Sequence, residues 1–96
     1  MTTLVVNKRK QNYDIYIGRG SLFGNPFVIG KDGDRDEVIR KYKVWFDVRI
    51  KEPEFKAAVL ILNDKKLGCY CKPLACHGDV IVEWLEKNIK PTLYTL

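Results

Sequence analysis

With a single histidine, a single methionine and three cysteines among 96 residues, this chain is sparing with the groups that usually announce a chemistry. It also lacks any run approaching the roughly 18 apolar residues of a membrane span, so no membrane partner is expected. The opening "MTTLVVNKRK" places its charges after its apolar residues, the reverse of a secretory leader, and a cytoplasmic protein is expected. An odd number of cysteines in such a chain excludes a disulfide framework. No repeats, low-complexity tracts or linkers interrupt the sequence, and its length suits one domain spanning 1–96 around a single modest core. Walker and G-x-G-x-x-G loops are absent too, so no standard nucleotide signature is present.

The composition that remains, 46% hydrophobic and 30% charged, is far from the apolar-poor mixtures that stay disordered. Seventeen basic against twelve acidic side chains leave a net charge of +5, which favours anionic partners such as nucleotides, phosphates or nucleic acid. The basic groups are scattered among "NKRK", "RKYK", "RIK" and "DKK", as solvated element ends are. A nucleic-acid partner is therefore an alternative and not the preferred reading.

"TLVV" at 3–6 and "YDIYIG" at 13–18 read as short strands joined by a basic turn around Gln11 and Asn12. "RGSLFGNPFVIGKDGD", with four glycines and an Asn-Pro pair, reads as a long loop, and long loops are disproportionately functional. Asp34 is placed to cap a helix, with Glu37 completing a reciprocal capping box and Val38, Ile39, Tyr42, Trp45 and Phe46 forming the apolar stripe. Pro53 suits the first turn of a second helix, with Phe55, Ala58, Val59 and Leu62 inward. "LGCYC" predicts a central strand, "DVIVEWLEKN" an amphipathic last helix from about Gly78, and "IKPTLYTL" an added edge strand. This order predicts a small α/β fold, a Rossmann-like sheet of three to four strands flanked by about three helices. If the second and third strands are parallel, the two helices between them form a crossover. The strand ends, at Gly18 and Arg19 and at Cys71, then meet at one sheet edge, where open α/β sheets bind ligands.

"LGCYCKPLACHGD", residues 67–79, gathers every cysteine and the histidine. Cys69 and Cys71, two apart on a strand, share a face. Cys76 and His77 open the last helix, whose first turn Asp79 can cap or favourably charge. Three readings stay open. Cys69, Cys71, Cys76 and His77 form an accepted zinc set, although this spacing is not that of a zinc knuckle. Cys76 at a helix terminus is a candidate nucleophile, with His77 and Asp79 as acid–base candidates. The cysteines can equally be small hydrophobes in a pocket wall. No cofactor is favoured, and zinc is the metal the set would suit.

In "YIGRGSLFGNPF" the glycines let backbone approach a ligand, Arg19 offers a fork of donors for phosphate or carboxylate, and Ser21 and Asn25 add hydrogen-bonding groups. The expected ligand-binding residues are Arg19, Gly20, Ser21, Gly24 and Asn25 from this loop, with Cys71, His77, Gly78 and Asp79 from the other.

Three blocks, "VVNKRK", "YDIYIGRGSLFGNPFVIGKDGDRDEVIRKY" and "LGCYCKPLACHGDVI", resemble a family of small bacterial and phage proteins described as domain of unknown function 4326. Its pattern of V-N, then Y-I-G-R with G-N-P-F, then G-C-x-C-x-P-x-x-C-H-G-D is matched over nearly the whole chain. The resemblance, with a looser likeness to Rossmann-like nucleotide-binding domains, implies a phage member that sequesters a host nucleotide signal. The leading expectation is a binder of a small phosphorylated, nucleotide-derived ligand, with Arg19 on the phosphate and the amides near Gly78 as a second anion site. The alternatives are a small hydrolase or transferase acting on a nucleotide or its glycosidic bond, and a zinc-stapled nucleic-acid-binding module. A homo-oligomer fits a protein of this size.

Overall fold

The computed structural model describes residues 3–89. It contains three strands, β1 (Leu4–Asn7), β2 (Ile15–Tyr16) and β3 (Lys66–Cys69), and three helices, α1 (Arg35–Arg49), α2 (Pro53–Ile61) and α3 (Gly78–Ile89). The edge strand expected from "IKPTLYTL" lies outside the described residues. The strands form one parallel sheet in the order β1-β3-β2, with Val5 opposite Leu67, Val6 opposite Gly68, and Ile15 opposite Leu67 on the far side.

This order separates the first two strands. They do not pair with each other, because β3 lies between them, and the basic turn is a crossover. Residues 8–14 pass over one face of β3, where Tyr13 lies on Gly68: a Cβ at Gly68 would sit 2.7 Å from Tyr13 Cγ. Glycine is required there by close approach. The end of the crossover is tied to β3 by Asp14, whose amide donates to the Lys66 carbonyl and whose carboxylate accepts from the Lys66 amide, both at 2.8 Å.

The opposite face of β3 carries Leu67 and Cys69, which join Ile17 and the inward faces of all three helices in one core cluster. α1 buries Val38, Tyr42 and Phe46, spaced four apart, and α2 buries Phe55 and Val59. Phe46 packs edge-on against Phe55 and Trp84, so its truncation to alanine is expected to cost roughly 3–5 kcal/mol. Asp34 caps α1 by accepting from the Glu37 amide at 2.9 Å. The return half of the capping box is not made, because the Glu37 carboxylate grips Arg40 instead at 2.7 and 2.8 Å. α2 starts on Pro53, whose missing N–H is one the helix could not have used.

Candidate functional site

The long loop leaves β2 at Ile17, whose amide continues the ladder by donating to Gly68 O at 3.0 Å. It then turns on itself. Ser21 donates twice to Gly18 O, from its amide at 3.0 Å and its hydroxyl at 2.7 Å, and Gly20 takes the positive φ of 92° that the turn demands. Gly24 comes back against the start of the loop so closely that a Cβ would lie 2.6 Å from Gly18 O. Asn25 fixes the loop to α1: its Oδ1 accepts from Phe27 N at 2.9 Å and its Nδ2 donates to Val38 O at 3.1 Å. Arg19 remains exposed, with a single 3.4 Å bond from Nη1 to Asn25 O.

The cysteine loop begins where β3 ends. Asn7, at the end of β1, supports it by donating to Lys72 O at 2.8 Å. Cys76, two residues before α3, engages the first turn in place of Asp79. Its Sγ accepts from Gly78 N at 3.4 Å, and Asp79 reaches back to accept from Cys76 N at 3.1 Å. The other oxygen of Asp79 takes Lys72 Nζ at 2.6 Å. Cys76 Sγ in turn donates to Cys69 Sγ at 3.1 Å. These two thiols titrate as a unit. The hydrogen bond between them, helped by the amides of Cys71 and Lys72 and the charge of Lys72, brings the first proton off below the ordinary thiol range. That same bond, together with burial, holds the second far above it on Cys76.

His77 is buried, and its Nε2 lies 2.7 Å from Ile17 O. A carbonyl can only accept, so Nε2 carries the proton and Nδ1, 3.5 Å from Cys76 Sγ, is the acceptor nitrogen. Burial lowers its pKa, against the opposing pull of the Ile17 bond, and the nearby Arg19 charge lowers it further. At neutral pH the ring is an uncharged bridge between the two loops.

Between the loops lies a cavity of about 380 Å³ at the carboxyl ends of β2 and β3, a size that suits a small organic ligand. Gly18, Arg19 and Asn25 line it from one side and Cys69, Cys71, Cys76 and His77 from the other. The expected convergence of the two loops is therefore present. Gly20, Ser21 and Gly24 shape the first loop without lining the cavity. Gly78 is packed beneath it against Ile17 and Val5, with its amide engaged by Cys76, so that amide is not the free anion site anticipated. Asp79 is exposed, paired with Lys72, and does not line the cavity either.

Several lining residues were not anticipated. The most important is Arg35, in the first turn of α1, whose Nη1 donates to Ala75 O at 3.2 Å and so joins the helix to the cysteine loop. Neither Arg19 nor Arg35 is ion-paired with a carboxylate among the described residues. Tyr16 and Tyr70, edge to face at 6.3 Å, and Phe27 complete an aromatic wall.

All three cysteines are free, and their Sγ atoms lie within 4.8 Å of one another. They could hold a metal ion between them. His77, the fourth ligand anticipated, does not belong to that group, and its Nε2 is held by Ile17. No helix among the described residues is long and apolar enough to cross a membrane.

Fold and site thus define a small mixed α/β protein with a parallel sheet, whose strand ends carry a cavity lined by cysteines and by unpaired guanidinium groups. The chain belongs to the family described as Domain of unknown function (DUF4326), which matches residues 5–87. It is 43% identical over 88 residues to the "Uncharacterized 12.4 kDa protein in nrdA-td intergenic region" of Enterobacteria phage T4, covering 90% of this chain and 80% of that one. No solved structure matches it.

Proposed function

We propose that this protein binds a small phosphorylated, nucleotide-derived ligand in the cavity between its two loops. The observation that carries the reading is the pair of guanidinium groups, Arg19 and Arg35, that face one cavity with no carboxylate among the described residues to neutralise them. Forked donors of this kind suit a phosphate. Tyr16, Tyr70 and Phe27 offer flat apolar surface for a base. Strand ends at one sheet edge are the place where Rossmann-like sheets hold nucleotides, which supports the same class of ligand. The relative in a phage agrees with a role in holding a host nucleotide signal out of circulation, and three free thiols agree with action in a reducing cytoplasm. Calorimetric titration with a panel of nucleoside mono- and diphosphates tests it. Arg19→Ala should weaken the best of them by roughly tenfold or more, and unchanged affinity would remove the ligand from this cavity.

The thiol cluster favours a second reading of the same pocket. Zinc is the ion best suited to Cys69, Cys71 and Cys76, and with three protein ligands it would keep a position open towards the cavity. A cobalt-substituted protein should then show intense thiolate-to-metal absorption that Cys71→Ser diminishes; absent bands on reconstitution would remove the metal. His77 Nδ1 lies 3.5 Å from Cys76 Sγ, but the Cys76 proton is committed to Cys69, so a hydrolase or transferase here would draw on the Cys69–Cys76 pair, whose first proton leaves below the ordinary thiol range. Chromatography of the ligand after incubation separates a binder, which returns it intact, from an enzyme, which does not.

A further inference from the structure

The sheet face opposite the helices carries a second collection of charge. A groove of about 620 Å³ runs there between the crossover and β1, floored by Leu4 and Val6 and lined by Lys8, Arg9, Lys10 and, from the start of β3, Lys66, together with Gln11 and Asn12, and by no carboxylate among the described residues. In most basic surfaces acidic neighbours offset the cations. Here aromatic rings hold two of them, Lys8 and Arg9, instead. Lys8 Nζ lies 4.7 Å from the centre of the Tyr16 ring, 5.2 Å from Tyr70 and 5.5 Å from Tyr13, and the Arg9 guanidinium lies 4.9 Å from Tyr70. The three tyrosines come from the crossover, from β2 and from the residue after β3, so the fold itself assembles the platform. Cation–π contact fixes the position of an ammonium group without neutralising its charge.

We propose that this groove binds the phosphate backbone of a single-stranded nucleic acid. Four cations with no ion-paired carboxylate among the described residues are complementary to a run of phosphates. Tyr13 and Tyr70, which are 37% and 49% exposed, leave ring surface for unpaired bases, the combination that sequence-tolerant single-strand binding uses. An acidic peptide would use the charges and leave the rings idle. Tyr16 and Tyr70 also form a wall of the cavity, so a strand in the groove would run towards the cavity mouth. The groove shares no cation with the cavity, and the proposal stands whether or not the cavity takes a free nucleotide.

The test is fluorescence anisotropy of labelled oligothymidylate and oligouridylate over a series of salt concentrations. Four phosphates neutralised on a single strand predict a slope near −3 in log K against log salt, at roughly −0.7 for each. The triple substitution Lys8→Gln, Arg9→Gln, Lys10→Gln should lower affinity at low salt by roughly tenfold or more and flatten the slope to about −1. Should the triple variant fold poorly by circular dichroism, Lys10→Gln alone, at an exposed position, should flatten the slope by roughly 0.7. Tyr70→Leu should weaken binding with the slope kept. Absent binding, an unaltered slope in the folded variants, or equal affinity for polyglutamate or anionic vesicles would overturn the proposal.

Discussion

The two loops that enclose the cavity are built on opposite plans. Residues 18–27 engage their polar groups with their own backbone and with α1: Ser21 on Gly18, and Asn25 on Phe27 and Val38. What they present outward is Arg19. Residues 70–77 do the reverse, turning Cys71, Cys76 and His77 towards the cavity, where Cys76 is bonded to the Cys69 thiol at the end of β3 and His77 reaches across to Ile17 O. The first loop is a shaped wall and the second is the reactive one. A substitution in the first should therefore act through geometry and stability, and a substitution in the second through chemistry and pH.

Of the changes in the two loops, the largest expected effect belongs to the shaped wall. Asn25→Ala removes two hydrogen bonds, leaving the Phe27 amide without a partner and the Val38 carbonyl with its α1 helix bond alone, which should cost roughly 2 kcal/mol in urea unfolding. A loss under about 0.5 kcal/mol would mean that the loop keeps its shape without this side chain. Next comes Arg35→Ala. It should cost affinity for a phosphorylated ligand by roughly tenfold, about 1.4 kcal/mol, with the unfolding midpoint nearly unchanged. Equal losses in stability and binding would make Arg35 part of the scaffold.

The third prediction concerns pH. The folded-state pKa of His77 lies below its ordinary value of 6.5, so the unfolded chain takes up a proton before the folded one does. The contribution of this neutral ring is complete above that value and declines as pH falls through it. Stability measured by urea on either side should drop towards acid, and His77→Asn should flatten the drop even if it lowers stability throughout. A slope unaltered in His77→Asn would assign it to other groups. The smallest effect is expected at Asp79, whose ion pair with Lys72 is solvent-exposed. Asp79→Asn should cost no more than about 1 kcal/mol and leave ligand affinity unchanged, whereas loss of affinity would return Asp79 to the site.

The convergence of the loops was legible because two helices between β2 and β3 make a parallel pairing natural, and parallel strands end together. The helices followed from local pattern: Asp34 before an apolar stripe, and Pro53 at a first turn. The crossover was not legible. A short polar stretch between two strands has the pattern of a hairpin, and parallel neighbours usually need a longer connection. Only the insertion of β3 between β1 and β2 removes that objection. The nearest signal was Gly68, a glycine inside an otherwise apolar strand, which marks a close approach. Arg35 escaped notice because, although it directly follows the long loop, a basic side chain in the first turn of a helix has the pattern of a solvated element end, and its place depends on how α1 packs. The exchange of roles at α3 was hidden for a different reason. Asp is the commoner partner for a helix's first amides, yet here the Cys76 thiol accepts from the Gly78 amide and Asp79 reaches back to the Cys76 amide.

The most direct test of the central claim, that the two loops form a single ligand site, is an amide NMR titration with a nucleoside monophosphate and, separately, inorganic phosphate. The account predicts that resonances from residues 18–25 and from residues 70–77 move together and fit one dissociation constant, with the Arg35 amide among them. Movement confined to one loop, or to the Lys8 and Lys66 face while both loops stay still, would contradict it.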